Sequence, residues 1–188
     1  MLDQKYARFA WEKTAELLNI DSPTGYTDAA ANWVKEAFES LGFPAEKTTK
    51  GGILVNLGGC DRGDNLLLAA HTDTLGAMVA EIKGDGRLRI TPLGGMSANN
   101  AETENVRVYT RGGKMIEGTC QLVNASIHVN KDYASCARTF DTVEIVLDEP
   151  VTCAKEAREL GIEIGDIVCF DPRTRLTTSG YILSLIHI

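Results

Sequence analysis

Leu66-Leu67-Leu68-Ala69-Ala70-His71-Thr72-Asp73-Thr74-Leu75-Gly76 is the stretch on which the reading of this chain turns. Five consecutive apolar residues, preceded by the turn-like Asp61-Arg62-Gly63-Asp64-Asn65, fit a strand buried on both faces. At its end the chemistry changes to His-x-Asp, and Gly76 then lets the chain turn. The carboxyl end of a buried strand is where α/β folds place their sites. A neutral imidazole such as that of His71 is the commonest protein ligand for zinc-like ions. A carboxylate two residues on, Asp73, can accept the other ring N–H, which fixes the tautomer and raises the basicity of the ligand. A surface turn that merely contains His and Asp has the same spacing, and spacing alone leaves both readings open.

Upstream, Ile53-Leu54-Val55-Asn56-Leu57 reads as a second strand. Before it, Ala30, Trp33, Val34, Ala37, Phe38 and Leu41 recur at helical spacing and form one apolar face. Thr27 or Asp28 can cap that helix, and Gly42 follows its last apolar residue as a C′ glycine should. Trp33 and Phe38 read as core anchors. An earlier helix is expected over residues 3–19, with Tyr6, Phe9, Ala10 and Leu17 on one side and Lys13 interrupting the stripe. Two helices followed by strands, one of them wholly apolar, indicate an α/β layer with covering helices.

Downstream the pattern changes. Met78–Ile82 and Arg87–Ile90 flank Gly84-Asp85-Gly86, a strong hairpin signal. Val106–Tyr109, the turn Arg111-Gly112-Gly113 and a strand near Gln121-Leu122-Val123 follow. Ile127-His128-Val129 and Val143–Leu147 alternate as half-buried strands do; His128 then points to the face opposite Ile127 and Val129, where a lone strand histidine is more often a polar surface residue than a ligand. Cys153 to Leu160 reads as a short helix stopped by Gly161, and Ile167–Phe170 as a last strand. Many short strands with glycine-rich turns predict a small barrel or sandwich of about 95 residues. The polar segment from Asn130 to Asp141 is long for a strand connection, and such loops are commonly functional or mobile.

The 188 residues are 44% hydrophobic, enough for a core in one large domain or two small ones. A net charge of −7, from 26 acidic and 19 basic residues, argues against a nucleic-acid or anionic-membrane surface. The five cysteines (60, 120, 136, 153 and 169) are odd in number, widely spaced and lack a C-x-x-C, as reduced thiols of a cytosolic protein would be. No signal-peptide core or bilayer-spanning run appears, so the expected location is the cytoplasm.

His71-Thr72-Asp73-Thr74-Leu75-Gly76-Ala77-Met78-Val79 resembles the His-x-Asp-Glu-x-Gly-x-x-Val segment of the tetrahedral (glutamyl or deblocking) aminopeptidases, two-metal exopeptidases with a β-barrel inserted in the catalytic domain. Ser22-Pro23-Thr24-Gly25 is similar to that family's early Ser-Pro-Ser-Gly turn, and Thr91-Pro92-Leu93-Gly94-Gly95 to its Gly-Gly segment. Val168-Cys169-Phe170-Asp171 through Ser179-Gly180-Tyr181 resembles the return into the catalytic domain. Thr74 stands where the family usually carries an acidic residue.

The resemblance implies an α/β metallopeptidase domain, helices packed on a mixed sheet, with an inserted small all-β barrel. Its parts would be 1–74 (catalytic), 75–170 (barrel, mediating self-assembly) and 171–182 (return to the catalytic domain). It implies two divalent ions, zinc or cobalt, with His71 a metal ligand and Asp73 orienting it from behind. It further implies peptide substrates, a homo-oligomer formed through the barrel, and no nucleic-acid or membrane partner. In such enzymes the ions polarise the scissile carbonyl and acidify a shared water, and a glutamate takes the proton.

Past Ile182 the family pattern would run on to Leu-Asp-Asp or Leu-Asp-Asn, but here Leu183-Ser184-Leu185-Ile186-His187-Ile188 follows. Back-translated as CTG-TCT-CTT-ATA-CAC-ATC, that segment resembles a transposon-derived sequencing adaptor, so 183–188 is expected to be a non-native tail without packing partners, and His187 is not counted as a ligand. On this reading the chain is a truncated enzyme, holding metal weakly or not at all and inactive alone, because a catalytic zinc needs about three protein ligands. The alternative is a non-enzymatic barrel that self-associates or binds peptides, carried on a decayed catalytic fragment.

Overall fold

The computed structural model describes residues 3–61, 63–64 and 66–184. Two helices come first, α1 (Gln4–Leu18) and α2 (Asp28–Ser40), followed by the short strands β1 (Ala45–Lys47) and β2 (Ile53–Val55). Asp3 caps α1, its carboxylate accepting from the Lys5 amide. Thr27 is the N-cap residue of α2 without a side-chain capping bond, and Gly42, at φ 88°, closes its C-terminus. Strands β1 and β2 pair antiparallel, Glu46 opposite Leu54.

Among the described residues α2 packs on this two-stranded ladder, whose small size limits what the helices can bury. Only Ala30 and Ala31 of α2 are buried, and no residue of α1 is. Trp33 and Phe38, expected as core anchors, are half-buried in an open apolar groove with Phe9, Leu17 and Leu41. Lys13 lies over the Trp33 ring, 5.6 Å from its centroid.

The predicted strand over Leu66–Ala70 does not form. The segment belongs to no strand or helix and is unpaired, and Leu66, Leu67 and Leu68 are 85%, 82% and 75% exposed. A strand exists only as a member of a ladder, because each backbone N–H and C=O needs a partner. No described strand pairs with these residues, and the leucines are left in solvent. Arg62 and Asn65, of the turn expected before them, lie outside the described residues.

From Gly76 the chain is a closed barrel of six antiparallel strands. These are β3 (Gly76–Ile82), β4 (Leu88–Leu93), β5 (Asn105–Tyr109), β6 (Met115–Leu122), β7 (Val143–Leu147) and β8 (Ile167–Phe170). Their order is β3-β4-β7-β6-β5-β8, closed by β8 pairing back on β3 with Gly76 opposite Cys169. Closure removes the edges an open sheet would present. Alternation fills the interior: Ala77, Val79, Leu88, Ile90, Val106, Val108, Ile116, Cys120, Leu122, Ile145 and Val168 are each at most 6% exposed. At about 1.5–3 kcal/mol for each large apolar side chain, this is the main stabilising term of the molecule. The helices α3 (Ala98–Ala101) and α4 (Ala154–Glu159) add Ala98, Ala101 and Ala157 to the same core.

The hairpin between β3 and β4 turns where its glycines predicted, with Gly86 at φ 83°. A side chain there would collide with Val151 Cγ1 at 2.3 Å, so the position requires glycine for space as well as conformation. Glu144, on the outward face of β7 yet 1% exposed, accepts from Lys83 Nζ (2.6 Å) and Arg87 Nη1 (2.5 Å) at the base of this hairpin.

Ile127-His128-Val129, read as a strand, is an exposed turn instead. The connection from β6 to β7 is organised by Arg138, which bonds Glu102 Oε2 (2.8 Å) and the carbonyls of Tyr133 and Cys136 (both 2.8 Å). Residues 127–129 close on themselves in a turn, the amides of Val129 and Asn130 donating to Ser126 O (3.3 and 2.9 Å) and Asn130 Nδ2 to Asn124 O (2.7 Å). After β8, β9 (Arg175–Leu176) pairs with β10 (Ile182–Leu183). Leu183 is therefore paired, and Ser184 is buried with its hydroxyl donating to Pro172 O at 3.0 Å. These two residues do have partners, contrary to expectation, while residues 185–188, His187 included, lie outside the described residues. No described helix is long and apolar enough to cross a membrane.

Candidate functional site

His71 and Asp73 sit between the unpaired apolar segment and the first barrel strand, on the rim of an open cavity of about 780 Å³. The His71 side chain is 83% exposed and that of Asp73 39%. His71 Nδ1 lies 2.9 Å from Asp73 Oδ1 and 3.1 Å from the Asp73 backbone oxygen. Both neighbours are acceptors, so in the neutral ring Nδ1 carries the proton and Nε2 keeps its lone pair. That tautomer is the one in which a histidine ligates through Nε2 while a carboxylate orients it.

The turn after α1 braces this segment. Ser22, 1% exposed, donates from its hydroxyl to Thr72 O (2.7 Å), and its carbonyl accepts from Thr74 N (2.8 Å). Pro23 bridges in parallel to Thr74 and packs on Gly76, where a Cβ would lie 2.4 Å from Pro23 Cβ. Thr24 Oγ1 donates to Asp73 Oδ2 at 2.7 Å. The Asp73 carboxyl is consequently held below its ordinary range, chiefly by the Thr24 hydrogen bond; burial opposes the shift and His71 adds to it.

The brace is itself tied to the barrel. Asp21 accepts two bonds from Arg107 (Nε 2.7 Å, Nη2 2.6 Å) and one from the Tyr109 hydroxyl (2.6 Å), both on β5. The Tyr109 hydroxyl is driven well above its ordinary range, chiefly by burial and then by the hydrogen bond it gives to Asp21. From the sequence, Ser22-Pro23-Thr24-Gly25 is a turn with no evident part in the site. The Asp-Ser-Pro-Thr-Gly string does carry side chains that satisfy nearby backbone, and that was the available signal. Nothing local connects Asp21 with Arg107, 86 residues away.

The donor set present fits one coordination position toward a divalent ion, His71 Nε2, backed by an orienting carboxylate. Among the described residues no group of three or more His, Cys, Asp or Glu is placed to hold a metal ion. Thr74, half-buried and bonded through its amide to Ser22, brings no carboxylate.

Comparison with known proteins adds an independent line. The family profile of the M42 glutamyl aminopeptidases matches residues 51–186, extending into the stretch read as a foreign tail. "Putative aminopeptidase YhfE" of Bacillus subtilis (strain 168) is 44% identical over 177 residues, covering 94% of this chain and 51% of the relative. The glutamyl aminopeptidase of Lactococcus lactis subsp. cremoris (strain MG1363) is 28% identical over 173 residues, 90% of this chain and 48% of that one. The chain thus spans about half the length of these curated relatives. Among solved structures, the aminopeptidase APDkam598 of the archaeon Desulfurococcus kamchatkensis superposes with a TM-score of 0.78 at 24% identity, over 92% of this chain and 46% of that one. The Pyrococcus horikoshii TET1 peptidase gives 0.73 at 21%, over 91% and 49%. At those identities the likeness establishes the shared fold. With the profile covering most of its length, the chain belongs to the M42 glutamyl aminopeptidase family.

Proposed function

We propose that this chain supplies part of the metal site of an aminopeptidase, with His71 a ligand to one of two divalent ions and Asp73 its orienting carboxylate. The observation that carries the reading is the 2.9 Å contact from His71 Nδ1 to Asp73 Oδ1, which leaves Nε2 free to ligate at the rim of a cavity. When bound, the ions supply Lewis-acid polarisation of a peptide carbonyl and acidify water near neutral pH. The chain's own part is narrower. Asp73 keeps the proton on Nδ1, and the Ser22–Thr24 turn fixes where the imidazole stands.

The remaining ligands and the general base come, on this proposal, from residues other than those described, so 1–188 alone turns over peptides at background. Residues 1–74 and 171–182 belong to the catalytic domain, and 75–170 form an inserted barrel; the six barrel strands, from Gly76 to Phe170, support that division. The barrel is the surface for self-assembly. Support comes from the Pyrococcus horikoshii relative, which can assemble into a tetrahedron or a large octahedral shell.

The test is a chimera in which residues 1–182 replace the matching half of the Bacillus subtilis relative. Metal content is measured after dialysis, and release of chromophore from aminoacyl anilides is followed with zinc, cobalt or manganese, the intact relative serving as reference. His71→Ala is expected to lose at least one metal equivalent and the metal-dependent turnover. Asp73→Asn should weaken metal binding by about 10- to 100-fold. Full metal retention by the His71→Ala chimera refutes the ligand assignment.

A further inference from the structure

We infer that Thr24 is a positioning residue for His71, acting through Asp73 from a turn that the barrel holds in place. The inference rests on the reading of His71 as a ligand oriented by Asp73, and it adds the group that orients Asp73 itself.

A free aspartate beside a histidine can rotate about its terminal bond, offering either oxygen or neither. Here that rotation is opposed on the far side. The Thr24 hydroxyl donates to Oδ2 at 2.7 Å, and Oδ1 is thereby presented to His71 Nδ1 at 2.9 Å. One carboxylate, with one donor on each oxygen, links the two side chains in a line. The proton on Nδ1 is specified from both ends, because the threonine hydroxyl uses its only proton on Oδ2 and the carboxylate has none to give back.

Thr24 can act in this way only if its own position is fixed, and the neighbouring contacts fix it. Ser22 holds Thr72 and Thr74 on either side of Asp73, one through its hydroxyl and the other through its carbonyl. Pro23 is buried against Gly76 at the start of the barrel. Asp21 is bound by a bidentate arginine and a tyrosine hydroxyl of β5. From barrel to imidazole the contacts run Arg107 and Tyr109, Asp21, the Ser22–Thr24 turn, Asp73, His71. The barrel thus sets the orientation of a side chain on the neighbouring domain, in addition to any part it takes in assembly.

The reporter is the His71 imidazole itself, observed in ¹⁵N-histidine-labelled 1–188 at a pH where the ring is neutral, so that its nitrogens report tautomer and not charge. In the unmodified chain the Nδ1–H form should dominate for His71, assigned by loss of its signals in His71→Ala. Thr24→Val removes the donor at nearly unchanged volume from an exposed position. It should lower the Nδ1–H to Nε2–H ratio by roughly threefold or more, as loss of a hydrogen bond to a charged acceptor does. Thr24→Ser, which keeps the hydroxyl, should restore it. Backbone amide spectra of the barrel, unchanged in all three, establish that a change in ratio is not a loss of fold. If Asp73→Asn shifts the ratio while Thr24→Val leaves it as in the unmodified chain, Thr24 has no positioning role and the inference fails, with the Asp73–His71 reading intact. If the unmodified chain already favours Nε2–H, the reading of Asp73 as the orienting group fails, and the inference with it.

Discussion

Gly76→Ala tests whether the turn after α1 is braced on the barrel as tightly as its contacts imply. A β-carbon at residue 76 would stand 2.4 Å from Pro23 Cβ, 3.1 Å from Pro23 Cγ and 3.1 Å from Val168 O. Ordinary carbon–carbon contact is about 3.5–4.0 Å, so the closest approach is short by about 1 Å. None of the three obstacles is the far end of a flexible side chain, since two belong to a ring fused to the backbone and one to a ladder carbonyl. Either the methyl stays and overpacks the joint, at about 1–3 kcal/mol, or the turn lifts away. Lifting forfeits the bonds from Thr74 N to Ser22 O, from Ser22 Oγ to Thr72 O and from Thr24 Oγ1 to Asp73 Oδ2, each worth about 0.5–1.5 kcal/mol. Replacing glycine restricts the unfolded chain and returns about 0.4–1 kcal/mol. The net is a local loss of about 1–2 kcal/mol, which should speed exchange of the Thr74 amide by a factor of about 5–30. Hydrogen exchange read by NMR measures it directly, with barrel amides such as Val108 as the unchanged reference. Adding Pro23→Gly removes the ring and should recover part of the loss, a coupling that two independent sites would not show. An unchanged Thr74 exchange rate in Gly76→Ala, or a variant more stable by the full glycine-to-alanine increment, refutes the reasoning.

Three further outcomes follow from the burial and charge of particular residues. Leu66, Leu67 and Leu68 form an exposed apolar strip, so Leu67→Lys should lower self-association in sedimentation or light scattering, with barrel stability unchanged within about 0.5 kcal/mol; unaltered association would show that the strip is not sticky. The thiols should separate by exposure in a native-state titration with an aromatic disulfide: Cys60 first, then Cys136 and Cys153, while Cys120, whose thiol burial pushes up to about 12, and buried Cys169 wait for unfolding. Fast labelling of Cys120 would contradict the closed barrel. Glu104 has its carboxyl raised above the ordinary value, chiefly by burial, with the charge of Arg173 (Nη2 2.6 Å from Oε2) opposing the shift without reversing it. A raised folded pKa contributes stability that is complete below the unfolded value and is lost as pH rises through the folded one, so Glu104→Gln should flatten the decline in stability just above pH about 4.3 in denaturant titrations. An unchanged slope would count against this assignment.

How much of this was legible in the sequence depends on how far apart the deciding residues lie. Several barrel strands were legible because alternation and turn chemistry are local: Gly84-Asp85-Gly86 specifies its hairpin within three residues, whereas the strand expected near Gln121-Leu122-Val123 proves to be β6, Met115–Leu122, with Val123 already in the turn after it. Ile127–Val129 alternates equally well and is no strand, because its backbone closes a turn on Ser126 instead of joining a ladder, and alternation alone does not say which. The site divides in the same way. His71 and Asp73 are two residues apart and could be read as a pair, whereas their brace starts 50 residues earlier at Ser22, and its anchor at Arg107 is 86 residues beyond Asp21. Patterns of residue type do not report contacts of that range.

The unpaired run at Leu66–Ala70 is the more instructive departure, because the residues were read correctly and the conclusion drawn from them was not. A wholly apolar pentad states that these side chains favour burial on two faces. It does not supply what would bury them. Burial of a strand is a property of its neighbours, and within the described residues β1 and β2 pair only with each other. The run ends at His71, so the imidazole is held by the Ser22–Thr24 brace on its C-terminal side and by no ladder on the other. That asymmetry explains why His71 is 83% exposed while Asp73, two residues nearer the brace, is 39% exposed. It also sets an order among the contacts. A strand laid beside Leu66–Ala70 would steady the backbone of His71, but the proton on Nδ1 would still be specified by Asp73 and Thr24, which lie beyond the end of that strand. Burial of the leucines and choice of tautomer are therefore separable: a change that covers the apolar strip should leave the His71 ratio unmoved, and a change at Thr24 should move the ratio without altering the strip.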